Sequence, residues 1–377
     1  MAVARRGAAD RRNMTLSVAL RHRAGDFALE AAFEAPAGIT VLFGRSGSGK
    51  TTIVNAVAGL LHPEAGRIAV DGRVLFDAAG GIFVPVHRRR IGYIFQEGRL
   101  FPHLTVRQNL LFGHWFAPRG GAREDLARIV DLLGIAPLLG RRPGALSGGE
   151  KQRVAIGRAL LCAPDLILAD EPLAALDEAR KAEILPYFER LSREVAVPIL
   201  YVSHAPSEVA RLATTVVALE AGRVLRQGPA AEVLADPSVT PLGAREAGAI
   251  LTATVAAQHD DGLTELSAGG ERLFLPRLAQ APGSAVRLRI AAHDVILARA
   301  RPEGLSALNI LSGTVREVRA GEGPGALVAL DTPAGRLLAR ITRRSVASLQ
   351  LAPGVAVHAV VKSVSVAPSD VGGGAPG

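Results

Sequence analysis

Cysteine is almost missing from this chain. Cys162 is the only one among 377 residues, which excludes an internal disulfide and fits a reducing compartment. It lies in ALLCAP, on the apolar face of a predicted helix, where a buried structural thiol is expected rather than a nucleophile. Aromatic residues are also scarce, at 4%, while 49% of the chain is hydrophobic and 21% charged, the balance of a folded domain protein. No run approaches the about 18 apolar residues a membrane-spanning helix needs, so none is predicted. The opening MAVARRGAADRRNM is basic without an apolar core and does not read as a secretory signal. Residues 1–14 are expected to be a disordered extension, or to reflect a start placed before Met14. Acidic charge falls short of basic charge: 44 Lys and Arg against 35 Asp and Glu leave a formal +9. Such a balance can favour nucleic acid or an anionic membrane. Here the arginines are scattered, in small clusters such as Arg88 to Arg90, with no aromatics between them. The expectation is therefore a solvated basic surface and no nucleic-acid partner.

What the chain does have is a phosphate loop. Gly44 to Thr52, GRSGSGKTT, fits G-x-x-x-x-G-K-[ST] at Gly44, Gly49, Lys50 and Thr51. An apolar, β-rich run, Ile39 to Phe43, precedes it, and the helix-compatible TTIVNAVAGLL follows. In that setting the N–H groups of Gly44, Arg45, Ser46, Gly47, Ser48 and Gly49 can curl around phosphate oxygens. The helix that opens at Lys50, Thr51 and Thr52 adds positive partial charge there. Lys50 supplies a cation for the β- and γ-phosphates, and the Thr51 hydroxyl is a hard oxygen ligand for Mg²⁺.

Patterning predicts two kinds of architecture. Thr15 to Phe43 reads as strands, GRIAVDGRVLFD as a hairpin, and RRRIGYIFQEG as a strand running into a loop. Leu104 to Leu139 carries helical patterning broken by Pro118 and Gly120–Gly121. GGEKQRVAIGRALLCAP is a predicted helix, and LILAD and PILYVSH are short apolar strands separated by a helix over Glu178 to Glu194. This alternation indicates an α/β fold with a parallel sheet. After about Gly228 the pattern changes to short strands with Gly, Pro or Asp turns, as in small all-β barrels. The expected division is a nucleotide-binding domain over 15–228, in which the resemblance described below implies a helical subdomain at about 97–145, and a linker over 229–250. A β-rich segment at 251–303 then leads to a barrel at 304–367, with a disordered tail at 368–377.

The remaining motifs complete a reaction site. Asp170 ends an apolar strand, LILAD, and is placed to hold a metal through water; Glu171, next along, can polarise an attacking water. Gln96, after IGYIF, offers an amide that reaches metal and water. His204, after PILYVS, offers a neutral donor near the γ-phosphate. In LSGGEKQ, Ser147, Gly148 and Gly149 open a helix and make a second anion-binding N-terminus. One chain then holds two half-sites that face different ways, and a head-to-tail pair of chains with two nucleotides between them satisfies both.

Taken in order, Gly44–Thr52, Gln96, Leu146–Gln152, Asp170–Glu171, Asp177 in LAALD, and His204 resemble the motifs of ABC transporter ATPase subunits, over Thr15 to about Gly228. The resemblance implies ATP and Mg²⁺ as cofactors, with Thr51, Gln96 and Asp170 around the metal. It implies Glu171 as general base and His204 as the group that orients γ-phosphate and water. Ser147, Gly148, Gly149 and Gln152 would act in the partner's site, with Asp177 at the dimer seam. It further implies that Gln96 and the segment after it pass closure to a membrane permease, with Arg99 to Val106 flooring the coupling groove. The family stacks an aromatic on adenine from its early strands; near that place this chain offers Arg21, His22 and Arg23.

SALNILSGTV (Ser306 to Val315) and VVKSVSV (Val360 to Val366) resemble the two motifs of the small molybdate-binding barrel. RRRIGYIFQEGRLFPHLTVRQNL and GALSGGEKQRVAIGRALL are similar to the molybdate importer's ATPase subunit. The resemblance implies a homodimer on the cytoplasmic face of the inner membrane. Its partners would be an integral membrane permease and, within the complex, a periplasmic molybdate-binding protein. The cargo would be molybdate or tungstate. Ser306, Lys362 and Ser363 match the barrel's oxyanion-holding positions, but Leu308 stands where the first motif has arginine. The barrel is thus expected either to bind oxyanion or to serve dimerisation alone. Competing readings are an importer of sulfate, iron or polyamine, a nucleic-acid-stimulated soluble ATPase, and a molybdate sensor or store.

Overall fold

The computed structural model describes residues 14–113, 125–174, 176–194, 197–236, 239, 247–321, 323–366 and 370–373. The expected extension before Met14, the breaks at Pro118 and Gly120–Gly121, and most of the expected tail lie outside them. The chain divides into two compact units. The first holds residues 1–204 and 214–227; the second holds 205–213 and 228–377.

The first unit is the predicted α/β domain. Its strands are β1 (Leu16–Ala24), β2 (Phe27–Ala35) and β3 (Gly38–Phe43), then β4 (Ala65–Val70), β5 (Arg73–Asp77), β6 (Ile82–Phe83) and β7 (Ile91–Ile94). β8 (Leu166–Asp170), β9 (Pro198–Ser203), β10 (Thr215–Glu220) and β11 (Arg223–Pro229) complete one eleven-stranded sheet, in the order β6-β5-β4-β1-β2-β11-β10-β3-β9-β8-β7. Strands β10, β3, β9, β8 and β7 run parallel. They read as near-continuous apolar runs because such strands are covered on both faces: β9 is buried at every residue. The strands β1 and β2 instead alternate buried and exposed, the signature of a half-buried antiparallel ribbon.

The helices of this unit are α1 (Lys50–Ala58), α2 (Val106–Phe112), α3 (Leu126–Leu132), α4 (Gly148–Leu161) and α5 (Glu178–Glu194). α1 packs on β8 and β9, and α2 and α3 pack on α4. Gly157 makes the α2–α4 approach possible: a Cβ there would stand 2.7 Å from Leu110 and 3.0 Å from Leu133. α2 opens with a capping box in which Thr105 and Gln108 exchange hydrogen bonds.

Within the cluster Arg88 to Arg90, Arg89 departs from the solvated surface expected. Arg89 is 1% exposed. Its guanidinium donates to Ala56 O and Val57 O, both at 2.8 Å, and its Nε donates to Val84 O at 2.7 Å. A cation thus sits on the last carbonyls of α1, where the helix dipole favours positive charge. Burial pulls its pKa down to about 10, so it stays charged at neutral pH.

The second unit begins with α6 (Pro206–Leu212), which packs with β15 and β21, and α7 (Ala230–Leu234), which packs on β12. Its strands are β12 (Gly248–Gln258), β13 (Leu263–Ala268), β14 (Glu271–Pro276), β15 (Ala285–Ala291), β16 (Ile296–Ala298), β17 (Asn309–Ala320), β18 (Gly325–Thr332), β19 (Gly335–Thr342), β20 (Ala356–Val361) and β21 (Val371–Gly373), with α8 (Arg343–Ser348) between β19 and β20. They form two five-stranded sheets, β14-β13-β12-β15-β21 and β16-β20-β17-β18-β19.

Three expected boundaries shift. One apolar cluster runs from Ala235 to Val371 across both sheets, so there is no break in packing at 303–304. β16, before that boundary, pairs with β20 beyond it. The expected linker over 229–250 contains α7 and the start of β12. Val371 to Gly373, expected in a disordered tail, pair with β15 because Val371 is apolar and buries against Leu288.

Candidate nucleotide site

The loop between β3 and α1 has the geometry a phosphate cradle needs. Gly44 leaves β3 where a Cβ would fall 2.3 Å from Leu219 O, so no side chain fits. Arg45, Ser46 and Gly47 are exposed, and Ser48, Gly49 and Lys50 are buried beneath them. Ser48 N donates to Arg45 O at 3.2 Å and closes the turn. Gly49 caps α1 with φ of 101°, a conformation closed to most side chains. The Lys50 ammonium folds over the loop, donating to Gly44 O and Arg45 O at 2.8 Å each, with Ser48 Oγ at 3.5 Å. Thr51 is exposed and Thr52 half-buried on the first turn of α1.

Two carboxylates face this cation. Burial lowers the Lys50 pKa, and the charges of Glu171 and then Asp170 oppose that fall. Asp170 moves the other way: burial, then the neighbouring Glu171, raise its pKa, against the pull of a Tyr93 hydrogen bond and of Lys50. Tyr93, on β7, donates to Asp170 Oδ2 at 3.4 Å and stacks on Phe95 with ring centroids 4.0 Å apart. Glu171 leaves the strand with φ of 44°, in the left-handed region, and its N–H donates to Val202 O on β9. Glu171 Oε1 meets His204 Nδ1 at 3.3 Å. The structure therefore brings Lys50, Asp170, Glu171 and His204 into one constellation from three different strand ends. Gln96 is exposed just past β7.

The second anion-binding start is also built. Ser147 caps α4: its Oγ accepts from Glu150 N at 3.2 Å, and Glu150 Oε2 accepts from Ser147 N at 2.7 Å. That backbone bond lowers the Glu150 pKa. Ser147 is exposed, Gly148 half-buried and Gly149 buried, so the helix start is open to a ligand at its tip. Gln152 points inward instead: it is 3% exposed and its Nε2 donates to Phe95 O at 3.3 Å. Asp177 is exposed and opens α5, accepting from Arg180 N at 2.9 Å. Cys162 is half-buried at the end of α4, its thiol donating to Arg158 O and raised in pKa by burial, as an inert structural thiol would be.

Phe27 was missed by sequence reasoning. It sits two residues past Gly25 in the β1–β2 turn, and its ring lies against the loop: a Cβ on Gly49 would be 3.1 Å from Phe27 Cζ. His22 shares that face of the β1–β2 ribbon, by the alternation that also buries Leu20 and Leu29. Its Nδ1 is buried and finds no partner among the described residues. The signal was the alternation itself, which places residues 22 and 27 on the core side near α1.

In the second unit the barrel motifs divide. Ser306 and Lys362 are exposed, and Leu308 is 51% exposed. Ser363 is 9% exposed, and its Oγ lies 3.5 Å from Asn309 Nδ2. Asn309, 1% exposed, accepts from Phe274 N at 2.7 Å and donates to Phe274 O at 3.0 Å, fastening β17 to β14. The structure thus separates a buried fastener from two exposed polar side chains.

Comparison with known proteins agrees with this geometry. The ABC transporter family model matches residues 32–174, and the TOBE domain model matches 305–368. The solved structure of cbiO1 from Clostridium perfringens, part of the ABC transporter complex cbiONQ, superposes with a TM-score of 0.52 at 28% identity. That match covers 60% of this chain and 93% of the other. Fold and site define an ATP-binding subunit of an ABC transporter. The molybdenum import ATP-binding protein ModC of Mesorhizobium japonicum is 53% identical over 96% of this chain and 99% of its own length. Its namesake in Rhizobium etli is 52% identical over 94% and 99%. The chain belongs to the family of molybdenum import ATP-binding proteins.

Proposed function

We propose that this chain is the ATP-hydrolysing subunit of a molybdate importer, with tungstate as the close chemical alternative. The observation that carries the reading is the intact Lys50–Asp170–Glu171–His204 constellation in a chain about half identical, end to end, to molybdenum import ATP-binding proteins. ATP places its phosphates on the N–H groups of Gly44 to Thr52, with Lys50 moving from loop carbonyls to phosphate oxygens. Phe27 offers the base a ring, and His22 Nδ1 an unused polar atom beside it. Glu171, turned out of its strand, takes the proton of the attacking water, and His204 holds the water and γ-phosphate in line.

The residues fit Mg²⁺. Among the described residues no group of three or more His, Cys, Asp or Glu could hold a metal. A site that leans on Thr51, Gln96, Asp170 through water, and the phosphates is what a reluctantly dehydrating cation takes. When bound, the ion neutralises charge gathering between the β- and γ-phosphates.

Ser147, Gly148 and Gly149 address the partner's γ-phosphate in a head-to-tail homodimer, and Asp177 lies at its seam. Gln96 and the segment after it carry closure to the permease at the cytoplasmic face of the inner membrane. A periplasmic oxyanion-binding protein delivers cargo from the far side. No helix among the described residues is long and apolar enough to cross a membrane. Ser306 and Lys362 remain the barrel's available oxyanion contacts, with Ser363 turned inward.

Uptake of labelled molybdate in cells with and without this chain tests the reading. Loss on deletion, restored by the wild-type chain and not by Lys50→Ala, is expected. Unchanged molybdate uptake, with loss of sulfate, iron or polyamine uptake instead, overturns the cargo and keeps the ATPase.

A further inference from the structure

The helix that follows His204 belongs to the other unit. β9 ends at Ser203 and β10 begins at Thr215, both in the first unit, yet residues 205–213 between them fall in the second. α6 occupies that stretch. It is seven residues long, too short to hold itself, so its place is set by what grips it. Two strands of the second unit do so. Arg287 on β15 forks onto the last turn: Nη1 donates to Ala213 O and Nη2 to Arg211 O, both at 2.5 Å. A cation on these closing carbonyls also meets the negative end of the helix dipole. Directly across the sheet from Arg287 stands Gly372 on β21. A Cβ there would lie 2.8 Å from Arg211 Cγ and 3.0 Å from Arg211 Cα, so only glycine lets β21 approach α6 this closely. β21 is tied to β15 beside this point, where Arg289 Nη1 meets Asp370 Oδ1 at 3.3 Å, both mostly buried.

The two ends of α6 transmit a shift unequally. At its far end Thr214 is pinned to β3, its N–H and its Oγ1 both donating to Ile39 O at 2.9 Å. At its near end a single residue, Ala205, separates His204 from Pro206 at the helix start. Ala205 is extended, at φ of −90° and ψ of 113°, as proline favours in the residue before it, and the ring of Pro206 fixes its own φ. Little slack remains there. A helix of this length is a stiff lever of about 10 Å, so a change of angle at the pinned end is delivered at the other. The imidazole stands at that other end, with its Nδ1 3.3 Å from Glu171 Oε1. We infer that Arg287 and Gly372 are positioning residues for His204: by seating the last turn of α6 against β15 and β21, they set the imidazole's place beside Glu171. The short strand β21, which lies outside every nucleotide motif, thereby acts on the reaction.

The effect on catalysis rests on the role proposed for His204, so imidazole and reaction are read separately. The full-length chain is prepared with isotope-labelled histidine, and the Cε1–H signal of His204 is assigned in NMR spectra by its loss in His204→Gln. Arg287→Met is expected to shift that signal. Arg287→Lys shifts it less, because an ammonium keeps the cation without the planar fork. Gly372→Val shifts it in a chain whose Arg287 is intact. Asn309→Ala, which loosens the same unit between β17 and β14, leaves it in place. Turnover of ATP in Arg287→Met falls about 10- to 100-fold, the scale of a misplaced catalytic group, with the half-maximal ATP concentration unchanged. A His204 signal unmoved in both Arg287→Met and Gly372→Val overturns the inference, as does an equal shift in Asn309→Ala. Should Arg287→Met fail to fold, Arg287→Lys and Gly372→Val decide in the same sense. Shifted signals with turnover unchanged would strike His204 from the reaction and leave the seating of α6 standing.

Discussion

The two units use polar residues in opposite ways. In the α/β unit the informative ones stand at the ends of strands and the starts of helices, where the backbone stops satisfying itself. Lys50, Asp170, Glu171, His204 and Ser147 all occupy such junctions. In the β-rich unit the motif residues flank strands that continue, and two of them, Asn309 and Ser363, are drawn into the packing between sheets. A polar side chain at a junction is free to meet a ligand, while one beside a continuous strand is first claimed by its neighbours. The same residue types therefore carry a strong functional inference in one unit and a weak one in the other.

The sharpest test of that contrast is Glu171→Gln. Hydrolysis should fall about 100- to 10,000-fold, the range for losing a general base, while ATP accumulates in a stable dimer seen by size-exclusion chromatography. A monomer at saturating ATP would break the head-to-tail model. Removing this charge also takes away one cause of the raised Asp170 pKa. Asp170 then deprotonates at lower pH, so Mg²⁺-dependent nucleotide binding should persist further into acid in the variant than in the wild type. A carboxyl with a raised folded pKa favours the fold while protonated, and that contribution fades as pH rises through the folded value. The nucleotide-free wild type should accordingly lose a small part of its stability across that same window.

Lys50→Ala should cost about 100- to 1,000-fold in turnover, as losing one charge-stabilising donor does, with the melting curve nearly unchanged. A large fall in stability would move Lys50 from chemistry to architecture. Phe27→Ala should raise the ATP concentration for half-maximal rate about tenfold, a stacking loss of roughly 1–3 kcal/mol, with maximal turnover kept. An unchanged half-maximal ATP concentration in Phe27→Ala would remove the ring from base recognition. In the other unit the effect should appear as stability. Asn309→Ala leaves the Phe274 backbone groups unpaired and should cost about 1–3 kcal/mol by denaturant titration, with ATP hydrolysis intact. The smallest expected effect is Lys362→Ala: calorimetric molybdate binding should weaken if the barrel holds oxyanion, and no change would leave dimerisation as its role.

Much of this was legible before any coordinates. The phosphate loop, the signature at Leu146–Gln152 and the Asp170–Glu171 strand end are local: each needs only its neighbours to be read. Apolar runs without alternation marked the parallel strands correctly, because burial on both faces leaves no polar face to show. What stayed hidden was non-local. Arg89 looks like its neighbours Arg88 and Arg90, and only the approach of α1, more than thirty residues earlier, decides which of the three is buried. Phe27 is ordinary until Gly49 is seen beside it. The apolar cluster spanning 235–371 could not be read from strands whose lengths and turns are alike on both sides of residue 303.

The guanidinium of Arg89 also bears on how the chain assembles. Its bond to Ala56 O spans 33 residues, so α1 cannot receive this C-terminal cap until β4, β5 and β6 have been made. On a ribosome the phosphate loop emerges first, with Gly59 N–H already serving Ala56 O, and the charged cap from Arg89 follows. Helices of this length are marginal alone. The helix behind the phosphate loop thus gains its charged cap only once this long loop has closed.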